Sequence, residues 1–188
     1  MADLINLATC KALLQITETT WDTFLTTHLT TVSAWVRNEC RRQFTKANYT
    51  EIKSGPAQRT CLWVAETPLL SVASLHDSLD RTYGDADLID PENYVFWENG
   101  KIELVIGSFA TGVKNLKVIY QGGYQTIPDM LAKAVAWKCG YLLERSGPDA
   151  GFESELIGDY QYKRAGKENL VLREIGNWLA AYKRLDRL

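Results

Sequence analysis

The chain has little of the material from which catalytic and metal centres are made. It carries two histidines, His28 and His76, and four widely spaced cysteines, Cys10, Cys40, Cys61 and Cys139, with no CxxC pair. A structural zinc shell needs four such ligands at short, regular spacing, so no metal or cofactor is expected and the thiols read as free, buried packing residues. An excess of one charge is also missing. Twenty-one basic residues stand against twenty-three acidic ones, a formal charge of -2, which leaves no global positive field to grip a phosphate backbone. No apolar run approaches the ~18 residues of a membrane span. The opening MADLINLATCKALLQIT has no basic stretch ahead of a long apolar core, so use in a reducing, cytosol-like compartment is expected. Glycine (13) and proline (5) are not in excess among 188 residues, against collagen-like or low-complexity chains.

What is abundant is aromatic: six Trp and nine Tyr, rings that serve cores and contact surfaces alike. The length suits a single domain over 1–188. Hydrophobic period then divides the chain. From Thr17 to about Phe44, Trp21, Phe24, Leu25, Leu29, Val32, Trp35, Val36 and Cys40 recur at threes and fours, the stripe of a long helix. Thr17 before Glu18 marks its start, and Arg37, Arg41 and Arg42 suit its negative end. Thr9 to Ile16 predicts a shorter helix before it. Between residues 47 and 122 the runs become short and β-like: Tyr49–Lys53, Cys61–Ala65, Leu70–Leu75, Tyr94–Glu98, Lys101–Ile106 and Leu116–Tyr120. Asn99-Gly100 predicts a type I′ hairpin turn, and the aspartate-rich stretch from His76 to Asp90 predicts an exposed loop.

Helical periodicity returns from Pro128 to Ser146, with Met130, Ala134, Trp137 and Tyr141 on one stripe. A flexible connection rich in glycine comes next. The last predicted helix, about Glu168 to Leu188, sets Leu172, Ile175, Leu179, Tyr182 and Leu185 on one face, with Lys183, Arg184 and Arg187 near its end. The expected fold is α+β: a bundle of three to four helices (1–46 and 126–188) with an inserted antiparallel β region (47–125).

The chemistry-bearing residues do not converge. His28 lies on an apolar helix stripe, where a core or boundary histidine is the plain reading, and His76 has only Asp77 beside it. The aspartates at 77, 80, 85, 87 and 90 lack the ligand series of an EF-hand. The glycines of YQGGY sit between strand and helix without a GxGxxG or GxxxxGK[ST] pattern. No catalytic residues are expected, and the chain is read as not an enzyme. Arg37, Arg41, Arg42 and Lys46 make the one basic cluster, and with them a rival reading: a nucleic-acid-binding packaging or regulatory subunit.

The order of landmarks is more specific than any one of them. A long helix ends in RRQF; then come TPLLSVASL, ENYVFWENGKIEL and VIYQGGYQTIPDMLAKAVAW, in the last of which a strand, a Gly-Gly-Tyr turn and Ile127-Pro128-Asp129 open the next helix. Pro68 to Val72 and the late Gly158-Asp159-Tyr160 fit as well. Over roughly residues 5 to 185 this resembles the head-tail connector, or adaptor, family of long-tailed bacteriophages, also described as head completion proteins. The resemblance implies a structural virion protein at the neck, assembled in the host cytoplasm. Copies would form a dodecameric ring on the portal protein and meet a stopper or tail completion protein. DNA would pass through the channel without sequence-specific binding, and no membrane would be involved. It also implies that the C-terminal helix meets the portal, through Leu172, Ile175, Leu179, Tyr182, Lys183, Arg184, Leu185 and Arg187. The same apolar stripe is equally suited to packing on the chain's own bundle.

Overall fold

The computed structural model describes residues 2–55, 59–146, 154–157, 160–163 and 167–184. These fall into two compact units, one drawn from 1–41 and 127–184, the other from 42–126. The fold is α+β, as the change of hydrophobic period predicts.

The first unit begins with α1 (Leu7–Leu14), where the Asn6 side chain accepts the Thr9 N–H at 2.8 Å, satisfying one of the donors that a helix start leaves open. Left-handed Gln15 (φ 58°) ends it. Helix α2 spans Asp22–Cys40 and so starts later than Thr17. The Thr17-Glu18 pair imitates a cap, but after Gln15 reverses the backbone, residues 16–21 return the chain to α1. There Lys11 Nζ meets Asp22 Oδ1 at 2.6 Å, with the carboxylate at the positive end of α2. The helix stops at left-handed Arg41 (φ 54°), short of Phe44.

Its buried face also departs from the expected stripe. Leu25, Leu29, Val32, Val36 and Cys40 are buried, whereas Trp21 is 39% exposed and Trp35 half-buried. Two polar residues take the remaining inner positions. Ser33 Oγ accepts the Leu4 N–H at 3.0 Å, and Arg37 donates to the Ala2 carbonyl. Helix α3 (Asp129–Ser146) buries Leu131, Ala134, Val135 and Cys139, while Met130 and Trp137 of the expected stripe stand 42% and 40% exposed. Large rings at the flank of an amphipathic helix shift the apparent centre of its apolar face. Helix α4 spans Lys167–Ala180 and ends well before Leu188.

The second unit holds six strands: β1 (Ala47–Gly55), β2 (Cys61–Trp63), β3 (Leu69–Asp77), β4 (Tyr94–Phe96), β5 (Lys101–Leu104) and β6 (Gly112–Gly122). They form two antiparallel three-stranded sheets, ordered β1-β6-β3 and β2-β5-β4. Central β6 alternates so that Leu116, Val118 and Tyr120 are buried, joined by Leu62, Leu75, Ile102 and Phe109 in one core. The period of two in the sequence is thus the pleat of a half-buried strand.

The Asn99-Gly100 hairpin forms with a different turn. The Gly100 N–H bonds to the Trp97 carbonyl, the Trp97 N–H to the Lys101 carbonyl, and Gly100 alone has positive φ (88°). That is a three-residue loop ending in a glycine bulge rather than type I′, which requires positive φ at both central residues. The strands are not confined to 47–122 either. Ser154–Ile157 (β7) and Tyr160–Lys163 (β8) pair antiparallel inside the expected flexible connection, where Leu156-Ile157 and Tyr160-Gln161-Tyr162 flank Gly158-Asp159. The turn signals Gly147-Pro148 and Gly158-Asp159 themselves lie outside the described residues, as does Pro56.

Candidate functional site

The predicted docking element is α4 together with the residues after it. Ile175 and Leu179 are completely buried, Leu172 and Trp178 are half-buried, and the Trp178 ring meets that of Trp137 on α3 edge-on at 4.9 Å. The helix stops at Ala180, where the Tyr182 N–H bonds back to Leu179 and the Lys183 N–H to Ala180. Half-buried Tyr182 and exposed Lys183 and Arg184 therefore belong to a turn rather than to the helix. Leu185 and Arg187 lie outside the described residues.

This turn is fastened to the end of α2. The Arg184 N–H donates to the Cys40 carbonyl at 2.9 Å, the Cys40 thiol reaches the Leu179 carbonyl at 3.8 Å, and Lys183 pairs with Glu39. One of the carbonyls that a helix end leaves without an intrahelical partner is thereby satisfied by a segment 144 positions along the chain, the separation between Glu39 and Lys183. Ile175 and Leu179 are thus core residues of the first unit. What α4 offers outward is its exposed side and the basic turn.

The rival basic cluster is dispersed by the structure. Arg37 is 6% exposed and Arg42 8%. Arg42 donates to the carbonyl and, at 2.8 Å, the hydroxyl of Thr67, and lies over the Phe44 ring at 5.3 Å. Both guanidinium groups organise backbone within their own units. Only Arg41 and Lys46 of the four are exposed.

The histidines join no catalytic set. The His28 ring packs on Phe24 with centroids 4.0 Å apart, and His76 Nδ1 faces the Gly84 carbonyl at 3.3 Å. The acidic stretch is more ordered than a solvated loop. It contains a short 3-10 turn, Asp85–Asp87, with a second, Pro91–Asn93, directly after it, and Ser78 within the stretch is fully buried. Asp80 accepts from the Ser78 hydroxyl and from both the N–H and hydroxyl of Thr82, and the Ser78 bond above all holds its carboxyl below the ordinary value. Asp77 receives the Ala110 N–H at 2.7 Å and the Asn115 amide at 2.8 Å, and Asp87 receives the Gly84 N–H. These carboxylates are the acceptors that shape the loop. Among the described residues no three His, Cys, Asp or Glu side chains gather where they could hold a metal ion, and no helix is long and apolar enough to cross a membrane.

Sequence reasoning missed a polar cluster under the β2-β3 connection. The Tyr120 hydroxyl donates to Glu51 Oε1 and accepts the Glu66 N–H at 3.0 Å; Glu51 also takes the Ala65 N–H at 2.9 Å, and Glu66 Oε2 takes the Gln43 N–H at 3.0 Å. Burial, then the bond to Glu51, push the Tyr120 phenol well above its ordinary value. The cluster fixes residues 65–67 against the sheet. The second sheet turns a set of apolar side chains outward, Val95, Phe96 and Trp97, with Val105 and Ile106 just beyond β5, the last 82% exposed.

Comparison with known proteins gives these features a context. The chain shares its fold with solved chains from gene transfer agent (GTA) particles. One is from the neck of an empty particle with C6 symmetry: TM-score 0.60, 12% identity, covering 98% of this chain and 92% of that one. Another comes from a native virion (TM-score 0.61, 12% identity, 98% and 92% coverage). A third is from the neck of a native particle with C12 symmetry (TM-score 0.56, 10% identity, 100% and 96% coverage). No curated protein matches by sequence. The family model described as "Head completion protein" matches residues 3–145, which takes in α1, α2, both sheets and nearly all of α3. With that much of it matched, the chain belongs to the head completion protein family, structural virion proteins of the head-tail connection.

Proposed function

We propose that the chain is an adaptor of the virion neck. Copies form a ring on the portal of a DNA-filled head and present a surface to the stopper or tail completion protein. The observation that carries this reading is the family match over residues 3–145. Likeness of fold to chains of GTA necks with C6 and C12 symmetry supports a ring. The role needs no reaction, and catalysis forms no part of it.

Portal contact falls to the basic turn after α4 and the residues beyond it: Lys183 and Arg184, then Leu185 and Arg187. Half-buried Tyr182 lies within this turn, half-buried Leu172 sits eight residues before the end of α4, and Ile175 and Leu179 hold α4 in its bundle. The exposed pair of Lys183 with Glu39 is worth little in folding, so an acidic portal surface can replace it at small cost. Nucleic-acid binding draws no support from Arg37 and Arg42, whose side chains are buried among backbone carbonyls. A net charge of -2 suits a channel wall that lets DNA pass without gripping it.

The test adds the purified chain to portal-bearing, DNA-filled heads that lack it and images the portal vertex by electron microscopy. A ring of density and retained DNA are expected with the full chain. Heads that stay bare at every chain concentration, while the same heads accept another neck protein directly, would refute the adaptor role. Gel shifts across salt concentrations test the rival, which requires tight duplex binding by the free chain that weakens steeply with salt.

A further inference from the structure

The second unit contains a dipeptide whose chemistry the connector role does not use. Asn99 is the only asparagine of the chain followed by glycine. With no side chain on the following residue, nothing shields its backbone nitrogen from the asparagine side-chain carbon, and asparagine is thermolabile for this reason. The β4-β5 hairpin depends on both residues. Gly100 has positive φ (88°), and a Cβ there would stand 2.6 Å from Thr67 Cγ2 and 3.2 Å from the Val64 carbonyl oxygen. Asn99 Oδ1 accepts the Lys101 N–H at 3.2 Å. The same loop occupies the attacking atom. The Gly100 N–H donates to the Trp97 carbonyl at 2.9 Å, the Gly100 carbonyl accepts the Val64 N–H at 2.9 Å, and the glycine is buried although Asn99 beside it is exposed. The Lys101 bond polarises the Asn99 amide and by itself favours attack. The restraint therefore lies at the nitrogen, which must leave the Trp97 carbonyl before it can reach Asn99 Cγ.

We infer that Asn99 is a latent modification site, a centre of spontaneous deamidation whose reagent is water and whose gate is the β4-β5 hairpin. In the opened loop the Gly100 nitrogen gives up its proton and bonds to Asn99 Cγ. The Cγ–Nδ2 bond breaks, and the amide nitrogen leaves with that proton as ammonia. The succinimide so formed takes up one water at either carbonyl and opens to an aspartyl or an isoaspartyl residue at position 99. No electrons are exchanged; water enters and ammonia leaves. In the closed loop the nitrogen is held on the Trp97 carbonyl, so the reaction waits on local opening of the hairpin. The change is irreversible, and the altered chain does not return to the original fold. An isoaspartyl link adds a carbon to the main chain inside a tight loop, which breaks the register that the Gly100–Trp97 and Trp97–Lys101 bonds set between β4 and β5. Either product also places a carboxylate directly after Glu98. The other asparagines precede residues with side chains, such as Tyr94 after Asn93 and Leu116 after Asn115.

The test incubates the full chain at mildly alkaline pH, once folded and once in urea, and follows every asparagine by peptide mapping and mass spectrometry. In urea Asn99 is expected to convert ahead of all the others. In the folded chain it should convert about tenfold or more slowly, since a hairpin open one-tenth of the time reacts one-tenth as fast. Ile102→Ala empties a fully buried place on β5 and should speed conversion in the folded chain, and converted chains should melt at a lower Tm than unconverted ones. Loss of Asn99 from the folded chain as fast as from the unfolded one would overturn the inference. So would conversion of another asparagine ahead of Asn99 in urea, or an unchanged rate in folded Ile102→Ala. The comparison of folded with unfolded chain is made on the natural sequence, so it stands even if the variant folds poorly.

Discussion

Tyr120 is the residue whose chemistry is most altered by the fold. Its phenol is buried, donates to Glu51 and accepts the Glu66 N–H, so Tyr120→Phe leaves that N–H without its hydroxyl acceptor and should destabilise the protein by ~1–3 kcal/mol in urea unfolding at neutral pH. The raised phenol value in the folded state sets the pH dependence. Below the unfolded value of ~10 both states hold the proton and the stabilisation is complete; as pH climbs above it, only the unfolded state ionises, and stability is lost. The gap between the natural chain and Tyr120→Phe should therefore narrow as pH rises above ~10, and a gap that widened would refute this account. Such clusters are illegible in sequence because their members lie far apart along the chain. Arg37 and Arg42 show the same limit: as letters they resemble a helix end or a nucleic-acid patch, but their partners are the carbonyls of Ala2 and Thr67.

At the scale of elements, period was legible and phase was not. The change from threes and fours to twos separates helices from strands, and burial alternates with it along β6 from Leu116 to Gly122. The boundaries of α2 were missed because left-handed residues at 15 and 41 decide them, and backbone handedness leaves only a faint mark on non-glycine sequence. The inner face of α3 was misread because Trp137 has much apolar surface but sits at the edge against Trp178. This distinction is measurable. Leu179→Ala, which empties a fully buried position, should cost ~2–5 kcal/mol of stability. Trp137→Ala removes a 40% exposed ring and its edge-on partner contact, worth ~0.5–1.5 kcal/mol beyond the area it covers. Chemical denaturation of both variants should rank Leu179→Ala as the more damaging, and the reverse order would mean that α4 is not seated by its Ile175-Leu179 face.

For the whole molecule, the sequence told class and order of elements but could not separate an apolar stripe that docks from one that packs, because both read identically at a period of 3.6. The burial of Ile175 and Leu179 assigns the stripe to packing, which moves the proposed portal contact to the basic turn and makes it separable from folding. Lys183 and Arg184 are exposed, and charges at such positions contribute little to stability. Reversing Arg184 and Arg187 to Glu should leave Tm nearly unchanged, yet place two like charges against an acidic portal surface and weaken docking by a factor that shrinks as salt is raised. Removing residues 181–188 is the stronger form of the same test. It spares α4, which ends at Ala180, and forfeits the Arg184–Cys40 backbone bond and the Lys183–Glu39 pair, a loss of ~1–2 kcal/mol. The truncated chain should stay folded by circular dichroism and fail to decorate portal-bearing heads. Decoration as complete as with the full chain would move the portal contact elsewhere, and the outward side chains Val95, Phe96, Trp97, Val105 and Ile106 of the other unit would then be the surface to alter next.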